Sequence, residues 1–242
     1  MSLARPVRLL AGFATVGVWT MASRVLGFLR DIAIAATLGA GPVAEAFFVA
    51  FTLPNMFRRF FAEGAFNSAF VPLFAKRLEG EGAGEARGFA EEALSGLATV
   101  LILFTLVAQL LMPAMVLLLA SGFAGDARFD LAVGFGRIAF AYVLFISLAA
   151  LLSGVLNALG RFWAAAAAPV LLNLILIAGI GLAEAGLLGW LPGPEVPGAE
   201  GLPYGTALAW AVIAAGVAQL ALVRQAAARA GMRLRLRRPR LT

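Results

Sequence analysis

The chain has 242 residues, of which 62% are hydrophobic and 13% charged, whereas soluble domains are nearer half apolar and about a quarter charged. One core of this size cannot bury so much apolar surface, so the composition predicts that lipid is the solvent. Cysteine and histidine are both absent, which excludes disulfides, imidazole bases and the commonest zinc sites.

Six long apolar segments follow one another along the chain. Most exceed the roughly 20 residues that an α-helix needs to cross the hydrocarbon core of a bilayer, and their length distinguishes them from buried strands. The sequence therefore predicts an all-α membrane protein, a bundle of six transmembrane helices within residues 1–223. The predicted helices occupy about residues 10–38, 43–74, 89–120, 131–159, 162–190 and 206–223.

Lysine and arginine are unevenly divided between the two sides of this predicted bundle. If the N-terminus is cytoplasmic, thirteen of them lie in segments on the cytoplasmic side, and only Arg128 lies in the opposite loops. Because positively charged loops stay in the cytoplasm, both ends of the chain are predicted to be cytoplasmic. Residues 224–242 would then be a basic cytoplasmic tail.

The net charge of +6 raises the question of nucleic-acid binding. The densest basic run, MRLRLRRPR at residues 232–240, follows the last apolar segment, and basic residues in such a place contact anionic lipid. Membrane lipids are therefore the predicted partners of this run, and nucleic acid is not.

Arginines also occur inside the apolar segments. Arg24 and Arg30 lie in the first segment, and Arg58 and Arg59 lie in the second. A charge at the bilayer centre costs about 2.5–3.5 kcal/mol on insertion scales, so these side chains must face protein, water or an anionic ligand. The planar guanidinium group donates two parallel hydrogen bonds to phosphate. A surplus of such cations therefore predicts an anion-binding site.

The alternative interpretation is that these charges pair within the protein. Arg59 and Glu63 are four residues apart and can meet on one helix. Arg24 shares a helix face with Asp31, seven residues further on, whereas Arg30 is predicted to point to a different face from its neighbour Asp31. Internal pairing thus accounts for some of the charge but not for all of it.

The second segment has further unusual features. Glu45 stands near its start, where the helix dipole favours a carboxylate, and no Asp or Glu stands three or four residues from Arg58. Pro54 and Pro72 interrupt the segment, and prolines in membrane helices are tolerated where they are buried or line a water-filled cavity. This pattern fits a transporter that alternates between two openings, and it also fits many static bundles.

No motif for catalysis is present. The sequence has no glycine-rich phosphate loop, no metal-ligand spacing and no Ser/His/Asp set. We therefore expect no enzyme activity, no cofactor and no metal.

Three runs of the sequence carry a resemblance to a known family. They are SRVLGFLRD at residues 23–31, EAFFVAFTLPNMFRRFFAEGAFNSAFVP at residues 45–72, and LNALGRF with APVLLN within residues 156–173. They resemble the MurJ/MviN family of bacterial lipid II flippases, part of the multidrug/oligosaccharidyl-lipid/polysaccharide exporter superfamily. The resemblance implies one lobe, the N-terminal one, of a two-lobed transporter, with residues 224–242 leading to a second, C-terminal lobe that this chain lacks. It also implies that undecaprenyl-pyrophosphate-linked peptidoglycan precursor, lipid II, crosses the bacterial inner membrane by alternating access.

The resemblance also implies roles for particular residues. Arg24, Arg30 and Arg58 match the family positions expected to hold the pyrophosphate. A second set is expected to serve gating or structural support, and Glu45 in it stands where the family usually has Asp. This second set consists of Asp31, Glu45, Asn55, Arg59 and Glu63.

Two other functions stay open on the sequence alone. A related exporter of other lipid-linked sugars or of drugs would share the fold and the cavity cations. A non-transporting membrane scaffold would need an acidic neighbour for each of Arg24, Arg30 and Arg58, so the positions of these three side chains distinguish it from a transporter.

Overall fold

The computed structural model describes residues 4–60 and 65–236. Within these residues the chain forms eight α-helices and a short 3-10 turn at Ser121–Phe123, and no strand. The helices are α1 (Ala4–Leu38), α2 (Pro42–Arg58), α3 (Ala65–Gly80), α4 (Ala83–Leu119), α5 (Ala127–Ala139), α6 (Tyr142–Ala158), α7 (Trp163–Glu184) and α8 (Leu202–Arg229).

Four helical stretches among the described residues are long and apolar enough to cross a membrane. Large apolar side chains face outward on the first of them, where Leu110 and Leu118 are 79% and 90% exposed, as expected for a surface in contact with lipid. The prediction of an all-α membrane bundle is therefore confirmed. The four stretches are Ala83–Leu119, Ala127–Ala158, Trp163–Glu184 and Leu202–Arg229.

The second predicted segment is not one continuous helix. Helix α2 ends at Arg58 and passes into a π-helical turn at Arg59 and Phe60, and α3 begins at Ala65. Pro54 lies inside α2, four residues before its end, and cannot donate the backbone hydrogen bond of a regular helix. The first two predicted segments thus correspond to α1 and to the α2–α3 pair, which together carry the internal arginines.

Two other predicted boundaries also shift. The fourth segment contains a tighter turn between α5 and α6, where the N–H of Val143 bonds the carbonyl of Phe140 at 3.0 Å. Helix α8 continues to Arg229, so residues 224–229 are helical and not part of a tail. The extension is stabilised by burial of Ala226 and Ala227 against the bundle.

Helix α8 lies at the centre of the bundle and packs against α5, α6 and α7. Its approach to α6 requires Gly216, because a Cβ atom there would lie 2.8 Å from Cδ2 of Tyr142. Helix α2 packs chiefly on α5, whereas α1 packs chiefly on α7 and touches α2 at few points. This packing leaves space between α1, α2 and α7.

The start of the predicted basic tail is docked on the bundle. Met232 and Leu234 are buried while Arg233 and Arg235 are exposed, the alternation expected of an extended chain with one face on protein. The N–H of Arg235 donates to Oε1 of Glu91, which is 1% exposed, at 3.2 Å. This segment is therefore part of the lobe, and its contact with anionic lipid stays a prediction.

Candidate functional site

Asn173 joins α7 to α1. Its Oδ1 accepts a hydrogen bond of 2.8 Å from Nη1 of Arg30, and its Nδ2 donates one of 2.9 Å to the carbonyl of Ser23. Gly27 lies beside Asn173, where a Cβ atom would make an ordinary van der Waals contact of 3.6 Å with the amide nitrogen. Asn173 is 5% exposed, so the orientation of Arg30 is set by a buried group.

Arg30 also forms an ion pair with its sequence neighbour Asp31. The Oδ1 atom of Asp31 lies 2.7 Å from Nη2 and 3.0 Å from Nε of Arg30. The prediction that these two side chains point to different faces is wrong, and so is the pairing of Asp31 with Arg24. A guanidinium group on a long side chain can bend back to the adjacent carboxylate, whereas Arg24 lies two helical turns away.

The end of α2 places two arginines beside α1 and α7. The N–H of Arg59 bonds the carbonyls of both Asn55 and Met56, a shared hydrogen bond of the kind common at helix ends. The side-chain amide of Asn55 donates to the carbonyl of Phe51 at 3.1 Å. The π-helical turn at Arg59 and Phe60 is of a type common at functional sites, and Arg58 and Arg59 lie at the edge of the space between the helices.

Two neighbouring clefts meet at Arg58. The first, which we call the arginine cleft, has a volume of about 600 Å³ and lies between α1, α2 and α7. The second, which we call the amide cleft, has a volume of about 590 Å³ and lies between α2, α3, α6, α7 and α8. Both are lined by Asn55, Arg58, Pro169 and Leu172.

The arginine cleft has an excess of positive charge. Arg30, Arg58 and Arg59 line it, and none of the described Asp or Glu residues does. Asp31 offsets one of these charges from outside the lining. The polar side chains of Ser23, Asn55 and Asn173 complete a surface that can donate several hydrogen bonds to an anion.

The structure brings together only some of the predicted site residues. Arg30 and Arg58 share the arginine cleft with Asn55 and Arg59. Arg24 is exposed and lines neither cleft, and no ion pair to it is present in the part of the chain that the structure describes. Glu63 lies outside the described residues, so its predicted pairing with Arg59 stays a prediction.

Glu45 lies away from the clefts in a separate ion cluster. Its Oε2 is 2.7 Å from Nη1 of Arg128, and Oδ2 of Asp126 is 2.7 Å from Nη2 of the same guanidinium group. The guanidinium group also lies over the ring of Phe123, 4.7 Å from its centroid. Glu45 therefore connects the start of α2 to the start of α5, beyond the dipole interaction that the sequence suggests.

Asp126 is the N-cap of α5. Its Oδ1 accepts the N–H of Arg128 at 3.0 Å, and its Oδ2 accepts Nε of Arg128 at 2.8 Å. The backbone hydrogen bond from Arg128, followed by the bond from its side chain, lowers the pKa of Asp126 below its ordinary value of 3.8. The cluster thus contains one cation and two carboxylates.

The residue that sequence reasoning missed is Asn173. Its signal is visible in retrospect, because it is the only amide side chain among the 22 residues of the mostly apolar α7 and ends the run APVLLN. A buried polar side chain in a membrane helix needs a partner. That partner, Arg30, is 143 residues away in the sequence, so it is identified only by the packing of α1 on α7.

Comparison with protein families gives a match over most of the chain. The family model of the lipid II flippase MurJ matches residues 34–241. The chain is 52% identical over 232 residues to the probable lipid II flippase MurJ of Rhizobium meliloti (strain 1021), covering 95% of this chain and 41% of the relative. It is 39% identical over 214 residues to the lipid II flippase MurJ of Burkholderia cenocepacia, covering 88% of this chain and 39% of the relative.

Two solved structures share the fold. The inward closed conformation of a lipid II flippase MurJ aligns with a TM-score of 0.68 and 21% identity, over 87% of this chain and 41% of that chain. A MOP superfamily transporter from Pyrococcus furiosus, whose binding pocket is described as having reverse polarity, aligns with a TM-score of 0.68 and 17% identity, over 95% of this chain and 47% of that chain. One fold thus holds pockets of different polarity, so function has to be argued from side chains.

The chain spans about 40% of the length of these curated relatives. The family match covers more than half of the chain, and it includes Arg58 while Arg24 and Arg30 precede it. Together with the helical membrane bundle, these similarities show that the chain is a multi-pass bacterial membrane protein that belongs to the lipid II flippase MurJ family.

Proposed function

We propose that this chain is the N-terminal lobe of a flippase that moves the lipid-linked pyrophosphate precursor lipid II across the bacterial inner membrane. The observation that carries the proposal is the arginine cleft, where Arg30, Arg58 and Arg59 form one wall that contains no described carboxylate. The names of the relatives agree with this substrate. The second lobe, from the rest of the polypeptide, would complete the cavity.

A diphosphate suits the arginine cleft for electrostatic reasons. Charge-assisted hydrogen bonds from guanidinium groups are stronger than neutral ones, and in a site with little water they offset the lost hydration of the phosphate groups. Arg30 is held ready by Asn173, so little conformational entropy is lost on binding. Arg58 lies where the two clefts meet. Its guanidinium group would therefore contact a ligand in either cleft.

Transport requires that the cleft bind the diphosphate with different affinities in the two orientations of the cavity, because equal affinity shifts no equilibrium. Each of the helices α2 and α7 contains a proline. Pro54 lies one turn before Arg58 in α2, and Pro169 interrupts α7 one turn before Asn173. We infer that bending at these points changes the separation of Arg58 and Arg30, and so weakens binding in the outward-open state.

The orientation in the membrane forms part of the proposal. The start of α4 and the segment of residues 232–236 lie at the same end of the bundle, since Glu91 accepts the N–H of Arg235. Glu45 and Arg128 meet at the start of α2 and of α5. With the basic end in the cytoplasm, the Glu45 cluster would face the periplasm, and both ends of this chain would be cytoplasmic.

The proposal is tested in the complete protein with Arg58→Ala. Loss of one charge-assisted interaction of about 1.5–3 kcal/mol is expected to weaken lipid II binding roughly 10- to 100-fold and to stop flipping in proteoliposomes. Arg137→Ala is the matched control, because Arg137 is an exposed arginine of an apolar helix that lines neither cleft. Equal binding by the two variants would contradict the proposal.

A further inference from the structure

The amide cleft differs from the arginine cleft in its chemistry. Apart from Arg58 at its boundary, no charged side chain of the described residues lines it. Its polar groups are neutral amides and hydroxyls, and small residues surround them. The polar groups are Asn55, Tyr142, Ser153, Asn157 and Gln219, and the small residues are Ala149, Ala150, Gly154, Ala165 and Ala168.

Helix α6 supplies the polar face of this cleft. Ala150, Ser153 and Asn157 recur at intervals of three and four residues, so they lie along one face of the helix. Ser153 is half-buried and Asn157 is exposed. Neither side chain has a hydrogen-bond partner among residues 4–60 and 65–236, so both are available to a ligand.

Gln219 has a different part in the cleft. It is buried, and its Nε2 donates to the carbonyl of Ala168 at 2.7 Å, which connects α8 to α7 beside Pro169. This bond holds the wall of the cleft in place, while Oε1 of Gln219 has no hydrogen-bond partner among the described residues. Ser153 and Asn157 are thus the accessible polar groups that α6 offers to an occupant, and Arg58 lies at the boundary of the cleft.

We propose that the amide cleft binds the sugar that is attached to the diphosphate, and that Ser153 and Asn157 recognise it. The inference rests on the proposed function, because it requires the diphosphate to occupy the arginine cleft. A sugar presents neutral donors and acceptors, which an amide and a hydroxyl group match, whereas a second phosphate would need further cations. The volume of about 590 Å³ lies within the range of small-molecule sites.

Arg58 lines both clefts, and the chemistry of a sugar diphosphate explains why the two clefts adjoin. In a sugar diphosphate the neutral ring is bonded directly to the anionic group, so its two binding surfaces must also be adjacent. The structure provides this arrangement through Asn55, Arg58, Pro169 and Leu172, which line both clefts. The amide cleft would thus determine that a glycosylated carrier is preferred over the bare polyprenyl diphosphate.

The experiment compares two ligands in the complete protein, lipid II and undecaprenyl diphosphate without sugar. We expect Ser153→Ala combined with Asn157→Ala to weaken lipid II binding about tenfold and to leave binding of the bare diphosphate unchanged, because only the sugar loses hydrogen bonds. Ser147→Ala is the control, since Ser147 lies on α6 but is buried and lines neither cleft. Equal weakening for both ligands, or for neither, would overturn the inference.

A second variant tests the same cleft by volume. Ala150→Phe fills the space beside Ser153 and is expected to reduce lipid II affinity selectively, with the melting temperature confirming that the protein is folded. Arg58→Ala separates the two proposals, because it should weaken both ligands. If Arg58→Ala weakens neither ligand, the proposed function fails. If it weakens both while the α6 variants are not selective, only the sugar site fails.

Discussion

Two arginine-containing regions of this molecule have opposite charge balances. The first is the ion cluster of Glu45, Asp126 and Arg128, which we call the outer cluster. In it, Arg128 is bonded by Glu45 and Asp126 and covered by the ring of Phe123. In the arginine cleft, three guanidinium groups line one surface, and Asp31 forms an ion pair with that of Arg30. We infer that the same residue type has two uses, joining helices where carboxylates outnumber it and binding a ligand where they do not.

The surroundings of the two regions support this difference. The outer cluster lies at helix starts, where Asp126 also caps α5 through the N–H of Arg128. The cleft arginines lie at a broken helix end and beside a buried amide, Asn173. An ion cluster at a helix cap stabilises local structure, whereas no described carboxylate lines the arginine cleft to compete with a bound anion.

The largest effect is expected when the cleft is given the charge balance of the outer cluster. Asn173→Asp would add a carboxylate 2.8 Å from the position of the Arg30 guanidinium. We expect lipid II affinity to fall roughly 10- to 100-fold, because the acid competes with the diphosphate for a charge-assisted interaction of about 1.5–3 kcal/mol. The measurement is binding to the complete protein. Gln109→Glu, outside the clefts, is the control for added negative charge, and full affinity in Asn173→Asp would refute the comparison.

A smaller effect is expected at Arg24, which the resemblance places with Arg30 and Arg58 but the structure leaves outside both clefts. Arg24→Ala is predicted to weaken lipid II binding by less than about fivefold, the size of an exposed charge interaction of up to about 1 kcal/mol. Arg24→Lys should restore that loss. A tenfold loss with alanine that lysine fails to restore would mean that Arg24 turns into the cleft in the complete protein and donates a bidentate bond.

Glu45→Gln tests the outer cluster, in which carboxylates outnumber the cation. Removing this charge breaks a partly exposed ion pair with Arg128, so the free energy of unfolding should fall only slightly. Lipid II binding should be unchanged, since Glu45 lines neither cleft. Thermal unfolding and ligand titration of one preparation give both results. A loss of affinity without a loss of stability would assign Glu45 to the transport cycle.

The sequence was sufficient to predict those features that depend on chain composition and local spacing. The length of the apolar segments predicted a helical membrane bundle, and the cost of a charge in lipid singled out Arg30 and Arg58, which share one cleft. The sequence did not predict the bonds of Arg30 to Asn173 and of Glu45 to Arg128. Both join residues more than 80 positions apart, and such pairs are determined by helix packing.

The sequence did not predict that residues 232–236 dock on the bundle, and the reason is related. Residues 232–236 read as a basic run because every second residue is arginine. Met232 and Leu234, which alternate with the arginines, lie in a groove formed by α4, α6 and α8. These three helices are distant from one another in the sequence. The buried carboxylate of Glu91 that accepts the N–H of Arg235 has no local sequence signal.

The smallest expected effect concerns the pH dependence of the outer cluster. Because hydrogen bonds from Arg128 lower the pKa of Asp126 in the folded protein, this carboxylate stabilises the fold above its ordinary pKa of 3.8. The contribution is lost as the pH falls through the lower folded value. Asp126→Asn should therefore melt at a lower temperature than the wild type at pH 7, and the difference should shrink as the pH falls below 4.

Asp126→Ser keeps a capping oxygen without the charge, so its difference in melting temperature from the wild type at pH 7 isolates the ionic contribution. A difference that stays constant across this range would show that the cap, and not the charge on Asp126, holds the start of α5 to Arg128.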